Sequence, residues 1–493
     1  MDFVITLNRA AATPLHRQLY EELRQAILNG RLLPQQRLPS TRSLATSLAV
    51  SRTTVTQGYD QLLSEGYLET VVGSGTFVCA RLPDDLLPTA PVLSSPAIAD
   101  SSPPLSAYGL GLADIELPGA TEPTAAINFR YGRPALDRFP IKLWRKLLSR
   151  HCRAELDWLD YATDPLDDRR LREAIARYLA KARAIQCTAE QVMITNGTQQ
   201  SLDLITRLFI NVGEAIALEE PSYLGARRTF LANGARLVPI PVDTAGLAVD
   251  QLTVHASAPI KLVYVTPSHQ FPTGAILSLP RRLELLAWAQ QARALIIEDD
   301  YDSEYRYGSQ PIPALQGLDR NHTVLYIGTF SKVLFPSLRM GYLVLPDRLV
   351  STFARAKWLS DRQLPLLEQA VLADFIDEGH LERHIRQMRL HYDQRRQTLV
   401  RALTQQFGQQ VTILGENAGI HLMVRLHSPL SDAEILQRAA AVNVGMMSAQ
   451  PHYLLTKPPG EFIFGYGELS DRQIQDGIIR LATALHPKSR LEN

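Results

Sequence analysis

The run Gly328-Thr329-Phe330-Ser331-Lys332 places a lysine just after an apolar stretch that has the composition of a buried strand. Two further polar runs frame it, Glu298-Asp299-Asp300-Tyr301 upstream and Arg339-Met340-Gly341 downstream. The upstream run also closes an apolar stretch. Because open α/β sheets bind ligands outside the carboxyl ends of their strands, these runs predict a ligand site at one edge of such a sheet.

Apolar, β-type stretches alternate with helical patterns over the middle of the chain. Helices fit between several of them, including 199–210 and 280–293. Near-continuous apolar strands separated by helices predict a mainly parallel sheet that is covered on both faces. The predicted strands are 192–195, 215–219, 237–242, 261–266, 294–298, 324–328 and 341–345.

The last part of the chain has a different pattern. A long helical pattern around 381–407 precedes two short strand-like runs, near 419–425 and 462–466, and two helical segments, near 431–442 and 470–486. These elements predict a smaller C-terminal α+β lobe.

Composition limits the class of protein. The chain has 493 residues, Lys+Arg 51 against Asp+Glu 50, and 45% hydrophobic residues, so it has room for two or three domains and no overall field that favours nucleic acid or membrane. Its three cysteines (Cys79, Cys152, Cys187) form no Cys/His cluster, and we predict neither a disulfide framework nor a metal site. The start has no signal-peptide pattern, and no apolar run approaches the ~18 residues of a membrane span. We therefore expect a soluble cytoplasmic protein without a membrane partner.

The first 81 residues predict three helices and a hairpin. Leu15, Leu19, Leu23 and Ile27 recur at helical spacing over 14–30, where Pro14 suits a first turn. A second helix follows Pro39-Ser40, and a third runs from Ser51, a natural N-cap, to Gly66. Strand-like runs at 67–72 and 75–78 then enclose Gly73-Ser74.

This order resembles the winged helix-turn-helix of the GntR superfamily. A recognition helix presents short polar and arginine side chains from its first turn to base edges, and its amino-terminal N–H groups meet phosphate. Arg42 is a candidate phosphate contact, and a glycine-rich wing lets the backbone approach the duplex. The alternative is a three-helix packing module that touches no DNA. The predicted DNA-binding residues are Arg42, Ser51, Arg52, Thr53, Thr54, Gly73, Ser74, Gly75 and Thr76.

Residues 82–123 are rich in Pro, Ala and Ser and have few charges after Asp85. Such a composition does not bury a core and predicts a linker. We therefore divide the chain into a DNA-binding domain (1–81), a linker (82–123) and a ligand-binding domain (124–493). A long linker would let the head reach another protomer.

The ligand-binding domain carries the residue types that pyridoxal 5′-phosphate (PLP) requires. A lysine forms the Schiff base, and Lys332 is the candidate. A carboxylate keeps the pyridine nitrogen protonated, and Asp299 ends a strand where it would do so, with Tyr301 able to reach the ring hydroxyl.

The phosphate needs a helix amino terminus, and Asn196-Gly197-Thr198-Gln199-Gln200 follows a strand and opens a helix. Thr329 and Arg339 are candidates to complete this cradle. Tyr223, in a loop after a strand, is the candidate to stack on the ring. Each piece alone has an ordinary structural explanation, such as a surface lysine or a turn, and it is their order at strand ends that favours a site.

These motifs resemble a fold-type I aminotransferase domain over 124–490, and the whole chain resembles the MocR/GabR subfamily of GntR regulators. Further matching runs are Thr266-Pro267-Ser268-His269-Gln270-Phe271-Pro272-Thr273-Gly274, similar to the aminotransferase Asn-Pro-x-Asn-Pro-Thr-Gly loop, and His384-Ile385-Arg386-Gln387-Met388-Arg389. The resemblance implies a head-to-tail, domain-swapped homodimer whose DNA binding depends on PLP and often on an amino compound.

Three departures from the family pattern bear on function. Ile463 stands where aminotransferases carry the arginine that clamps the substrate carboxylate. The asparagine that supports the ring hydroxyl is replaced in the His269-Gln270 region, so His269 and Gln270 are the candidates to contact the cofactor there. Tyr161 lies in a run similar to the segment that contacts the partner subunit's phosphate, but Asp167 stands where glycine is usual. Arg227 or Arg228 is an alternative anion contact, or part of a solvated helix face.

We therefore expect a PLP-dependent transcription regulator, with double-stranded operator DNA as its partner and with at most vestigial transaminase activity. Its effector would be PLP itself or an amino compound, and its targets genes of vitamin B6 or amino-acid metabolism. The alternatives are an active aminotransferase with an accessory DNA-binding head, and a regulator whose core serves only for dimerisation.

Overall fold

A computed structural model of the chain describes residues 5–83, 103–113, 115, 125–153, 160–254, 259–308 and 312–485. The chain divides into two compact units, Met1–Pro104 and Leu105–Asn493. Much of the predicted linker, residues 84–102, 114 and 116–123, lies outside the described residues.

The first unit is a three-helix module with a hairpin, as predicted. Its elements are α1 (Leu15–Leu28), α2 (Thr41–Leu48), α3 (Arg52–Ser64), β1 (Leu68–Val71) and β2 (Gly75–Val78). The Ser51 hydroxyl accepts a hydrogen bond from Thr54 N at 3.1 Å, and Ser40 caps α2 in the same way. Pro14 lies one residue before α1, so it precedes the first turn instead of belonging to it.

The core of this unit forms because α1 and α3 bury their apolar faces against each other. Leu19, Leu23, Val55 and Leu62 are almost fully buried in one cluster with Val78 of the hairpin. Gly58 brings the two helices close, since a Cβ there would lie 3.4 Å from the carbonyl of His16. The apolar spacing that predicted the helices is therefore the spacing that holds them together.

The second unit is built on one large sheet with helices against it. Its helices are α4 (Ala107–Gly111), α5 (Ile141–Arg153), α6 (Arg169–Arg183), α7 (Gly197–Phe209), α8 (Leu224–Ala232), α9 (Gln251–Val254), α10 (Leu279–Ala292), α11 (Leu315–Leu318), α12 (Asp347–Ser360), α13 (Leu366–Asp377), α14 (His380–Phe407), α15 (Asp432–Ala441) and α16 (Asp471–Leu485). The short helix α4 lies within the predicted linker and packs against α8.

The strands of the large sheet include all seven that the sequence predicts, with β7 in addition. They are β4 (Val192–Thr195), β5 (Ala215–Glu220), β6 (Arg236–Asp243), β7 (Gly246–Leu247), β8 (Ile260–Val265), β9 (Leu295–Asp300), β10 (Val324–Thr329) and β11 (Gly341–Val344). Their order is β4-β11-β10-β9-β8-β5-β6-β7. The pairs from β10 through β9, β8 and β5 to β6 are parallel, while β11 and β7 run antiparallel to their neighbours.

Helices cover both faces of this sheet. Val192 and Ile194 of β4 pack into a cluster with α6 and α13, whereas Met193 between them packs with α7, α8 and α12. Alternate side chains of one strand therefore belong to different cores. This double burial explains why the strands are apolar almost throughout.

The C-terminal lobe is the predicted α+β lobe. Its antiparallel sheet has the order β12-β13-β16-β15, with β12 (Val411–Leu414), β13 (His421–Leu426), β15 (Met447–Ser448) and β16 (Glu461–Gly465). A separate parallel pair joins β3 (Ile127–Asn128) to β14 (Val444–Gly445). Helices α14 and α16 pack on each other beside these strands.

Candidate functional site

A cavity of ≈ 370 Å³ opens at the carboxyl ends of β8, β9 and β10, where the sequence predicted a ligand site. This volume lies in the range of small-molecule sites, roughly 300–1,000 Å³. Predicted residues on its wall come from five separate segments of the chain. They are Thr198, Gln199, Tyr223, Asp299, Tyr301, Thr329, Lys332 and Arg339.

Lys332 directs its amine into this cavity. Its Nζ donates to the main-chain carbonyl of Gly132 at 3.0 Å. Burial lowers the pKa of the amine, and the Asp302 and Asp299 carboxylates oppose that shift only in part. A lowered pKa increases the fraction of neutral amine, which is the nucleophilic form that attacks an aldehyde.

One carboxylate oxygen of Asp299 accepts a hydrogen bond, and the other has no hydrogen-bond partner among the described residues. Its Oδ2 accepts from the Tyr264 hydroxyl at 2.7 Å, while Oδ1 is buried and has no hydrogen-bond partner among the described residues. Burial raises the pKa of this carboxyl to about 7. A buried acceptor without a partner is costly, and a pyridinium N–H would satisfy it.

The amino terminus of α7 forms an anion cradle. Gly197 has φ +68°, a conformation that favours glycine, and a Cβ there would lie 3.0 Å from Arg339 Nη2. Arg339 donates to the Asn196 carbonyl at 3.1 Å, so its guanidinium lies beside the first turn of the helix. Backbone N–H groups, the helix dipole and a guanidinium together suit a phosphate.

Two tyrosines complete the predicted set. Tyr223 lies on the wall at the start of α8, with its ring edge-on to Phe271 at 5.9 Å. The Tyr301 hydroxyl donates to the main-chain carbonyl of His269 at 2.9 Å. The cavity residues therefore fit PLP: an amine for the aldehyde, a carboxylate for the ring nitrogen and a cradle for the phosphate.

The predicted DNA-binding residues of the first unit lie at its surface. Arg42, Ser51, Arg52 and Thr53 are exposed, and Thr54 is half-buried beneath them. Arg52 Nε donates to Thr41 Oγ1 at 3.4 Å, which ties the first turn of α3 to α2.

In the hairpin, Gly73 and Ser74 are exposed, whereas Gly75 and Thr76 are half-buried. Gly75 has φ +121°, and a Cβ there would lie 2.9 Å from Arg37 Nε. Glycine is therefore required at this position of the wing.

Comparisons with known proteins agree with both parts of this description. Residues 15–78 match the family of bacterial regulatory proteins called gntR, and residues 146–460 match aminotransferase class I and II. The probable rhizopine catabolism regulatory protein MocR of Rhizobium meliloti is 40% identical over 488 residues, which cover 98% of this chain and 96% of that protein. This chain belongs to the MocR/GabR subfamily of GntR transcription regulators.

Other relatives support the same placement. The pyridoxine biosynthesis transcriptional regulator PdxR of Corynebacterium glutamicum is 31% identical over 472 residues, covering 94% of this chain and 95% of PdxR. Among solved structures, the Pyrococcus horikoshii kynurenine aminotransferase in complex with PMP is 29% identical with a TM-score of 0.68, over 74% of this chain and 92% of the enzyme. The chain is thus a DNA-binding transcription regulator with a fold-type I aminotransferase-like domain.

The loop at 266–274 corrects one site prediction for this regulator. Gln270 does not line the cavity, because its amide donates to the carbonyls of Pro221 and Phe271, each at 2.7 Å. His269 is also behind the wall, where it pairs with Asp302 at 3.0 Å. Phe271, which directly precedes Pro272-Thr273-Gly274, lies on the wall instead. The departure from the aminotransferase loop is therefore an aromatic ring in the position of the asparagine.

The place of the missing clamp arginine is filled with apolar side chains. Ile463 is fully buried in a small cluster with Phe271, Met423 and Ala449. A guanidinium at this position would have to be buried among apolar side chains, which costs several kcal/mol unless a carboxylate pairs with it.

Tyr161 does not reach the cavity of its own chain. Its side chain is 64% exposed, and the Arg362 guanidinium lies 3.9 Å above its ring. Asp167 occupies the left-handed region, with φ +73°, which explains why glycine suits this position. Its carboxylate pairs with Lys357 at 2.7 Å and accepts from Leu364 N at 3.0 Å, which offsets the strain.

Several wall residues were missed because they are distant in sequence or because their own sequence carries no signal. Tyr131 and Gly132 come from a segment 200 residues before Lys332, and Tyr264 lies inside an apolar strand. Phe271, Asp302 and Ser331 are the exceptions, since each is next to a predicted residue. The wall residues that were not predicted are Tyr131, Gly132, Tyr264, Thr266, Phe271, Asp302, Ser331, Pro336, Ile420 and His421.

Two of these missed residues, Asp302 and His421, form a polar trio with His269 beside the cavity. His269, Asp302 and His421 are all buried, and each offers one ligand atom within 4.8 Å of the others, a spacing that also suits a metal ion. The trio joins three separate segments of the chain, so the sequence pattern alone does not reveal it.

Among the described residues, no helix has both the length and the apolar character needed to cross a membrane.

Proposed function

We propose that this regulator binds PLP through Lys332 and uses the occupied domain to change how its heads bind operator DNA. The observation that carries the proposal is the unpartnered Oδ1 of Asp299 in the same cavity as the Lys332 amine. PLP is the ligand that would satisfy both, because it supplies a protonated ring nitrogen and an aldehyde.

In this proposal each cavity residue has one role. Lys332 forms the Schiff base, Asp299 holds the ring nitrogen and Tyr223 stacks on the ring. Gly197, Thr198, Gln199, Thr329 and Arg339 would hold the phosphate, and Tyr301 would reach the ring hydroxyl. PLP supplies an electron-withdrawing ring when bound.

The proposed role is regulatory, with at most vestigial transamination. Ile463 stands in place of the guanidinium that clamps the substrate carboxylate in aminotransferases, so a bound amino acid would lack a fixed orientation. Phe271 stands in place of the amide that supports the cofactor's ring hydroxyl. An active aminotransferase with an accessory head is the alternative. Multiple-turnover formation of a keto acid from a common amino acid would favour that alternative.

We further propose a head-to-tail homodimer in which Tyr161 meets the partner's cavity. Tyr161 is exposed, and the Arg362 guanidinium stacks on its ring. Exposed aromatic residues of this kind are enriched at protein–protein interfaces, which supports a contact with the partner subunit. Coupling between cavity and DNA would then be a shift between dimer arrangements. The name of the PdxR relative supports genes of vitamin B6 metabolism as targets, and amino-acid metabolism is the other candidate.

The head residues carry their own proposal. Arg42 and the wing residues 73–76 would contact the DNA backbone, while Ser51, Arg52, Thr53 and Thr54 would face base edges. We expect Arg52→Ala to weaken specific operator binding by about 10–100-fold, since a base contact by arginine contributes ~1–3 kcal/mol. Fluorescence anisotropy with a labelled operator measures this at fixed salt.

Arg17→Ala is the matched control, because Arg17 is an exposed arginine of the same unit that pairs with Glu21 on α1. Equal operator affinity of Arg52→Ala and Arg17→Ala would reject the assignment of α3 as the recognition helix. PLP binding, read from the visible absorbance of the Schiff base, should be unchanged in both variants.

A further inference from the structure

Beyond the residues proposed to hold PLP, the cavity wall carries two side chains that accept hydrogen bonds. If Lys332, Asp299 and Arg339 serve the cofactor as proposed above, no other lysine or arginine lines the wall among the described residues. Arg227 and Arg228, on α8, are not on the wall. The remaining ionisable side chains there that are not tyrosines are Asp302 and His421.

Asp302 presents a carboxylate. Its two oxygens lie 3.0 and 3.1 Å from His269 Nδ1, and the residue is 1% exposed. A carboxylate accepts hydrogen bonds and repels another carboxylate placed beside it in a site of low dielectric.

His421 presents a second acceptor. One of its ring nitrogens faces the main-chain carbonyl of Pro272, which requires a proton on that nitrogen. The other nitrogen, Nε2, is buried with no partner among the described residues. A proton there would have no acceptor, so Nε2 is the nitrogen that carries the lone pair.

The apolar cluster around Ile463 makes this end still less suited to an anion. Phe271, on the wall, packs directly against Ile463, Met423 and Ala449. An α-amino acid would bring its carboxylate to acceptors and apolar side chains, where it would be desolvated without a cationic partner. Hydroxyl groups would instead donate to Asp302 and to His421 Nε2.

We propose that the amino-compound effector of this regulator is a hydroxylated amine without a carboxylate next to its amine. The proposal rests on the PLP site proposed above and adds the chemical class of the compound that binds beside PLP in the same cavity. The amine would approach the Lys332 side, and the hydroxyls would bind at Asp302 and His421.

Two matched pairs of probes test this directly. Serinol and L-serine differ only in a hydroxymethyl group against a carboxylate, and ethanolamine and glycine form a second pair. With PLP-loaded full-length protein, calorimetry should give serinol a Kd at least about tenfold lower than that of L-serine, and ethanolamine should likewise bind more tightly than glycine.

Variants assign the effect to its residues. His421→Leu should raise the Kd of serinol about tenfold, because a buried hydrogen bond is lost. His151→Leu is the matched control, since His151 is also a buried imidazole of this unit but pairs with Asp374 away from the cavity. Asp302→Asn keeps the shape of the side chain and should remove the discrimination against L-serine.

The outcomes separate this inference from the proposed function. Protein that holds PLP but binds L-serine as tightly as serinol, or more tightly, would overturn the inference alone. Stoichiometric Zn²⁺ on His269, Asp302 and His421 in purified protein would also overturn it, because the metal would occupy both acceptors. Failure to bind PLP at all would instead reject the site on which it rests.

Discussion

The two ends of the cavity differ in what they offer a ligand. At one end, Lys332, Asp299 and the amino terminus of α7 present an amine, an unpartnered acceptor and an anion cradle. At the other end, Ile463 stands where an aminotransferase has the arginine that binds the substrate carboxylate, and it packs with Phe271 in an apolar cluster. A chain that keeps the first end without the second is suited to hold a cofactor and poorly suited to turn over amino acids.

Removing the amine tests the cofactor end and should have the largest effect. Lys332→Ala should abolish the visible absorbance of PLP-treated protein, because no other lysine lines the described cavity wall to form the Schiff base. Spectra before and after dialysis measure this. Lys261→Ala is the control, since Lys261 is a part-exposed lysine that pairs with Glu214. A visible band that persists in Lys332→Ala would place the cofactor on another lysine.

Truncation at the apolar end should act on stability instead. Ile463→Ala should lower the free energy of unfolding by about 2–5 kcal/mol, as expected for a fully buried isoleucine. Urea titration measures the loss, and the Schiff-base absorbance of the folded variant should remain. If Ile463→Ala instead abolished PLP binding without a loss of stability, the apolar end of the cavity would also be needed to hold the cofactor.

The pH dependence of the apoprotein gives a smaller effect. Burial raises the pKa of Asp299 to about 7 in the folded protein, above its unfolded value. Between roughly pH 4 and 7 the folded state therefore binds the extra proton, so this group's contribution to stability falls as pH rises, by up to ~1.4 kcal/mol per pH unit.

Asp299→Asn should remove that slope, which denaturation at several pH values measures. Tyr264→Phe removes the hydroxyl that donates to Asp299 at 2.7 Å and lowers its pKa, so this variant should keep the direction of the slope and extend it to higher pH. An unchanged slope in Asp299→Asn would assign the titration to the carboxyls of Glu219, Glu298 and Glu304, whose pKa values are also raised to about 7.

The sequence predicted the fold well because burial leaves a periodic pattern. Strands buried on both faces, such as β4 and β10, are apolar throughout, and α1 repeats its leucines at the helical period. The short strand β7 and the turn of helix at α4 carry too few residues for such a pattern.

The site was predicted where chemistry and sequence position coincide, and missed where tertiary structure brings distant segments together. Lys332 and Arg339 stand beside strand ends that the sequence reveals. Gly132 and His421 meet Lys332 or its neighbours only after folding. The prediction that Gln270 contacts the cofactor was wrong, because its amide donates to the main-chain carbonyls of Pro221 and Phe271.

The most direct test of the central claim is operator affinity measured with and without PLP at one salt concentration, for the wild type and for Lys332→Ala. We predict that PLP changes the operator Kd of the wild type by at least ~5-fold, the lower range of allosteric coupling. The same addition should leave Lys332→Ala unchanged. Equal wild-type affinities with and without PLP, in protein that visibly holds the cofactor, would contradict the claim that the cavity holds PLP as a signal.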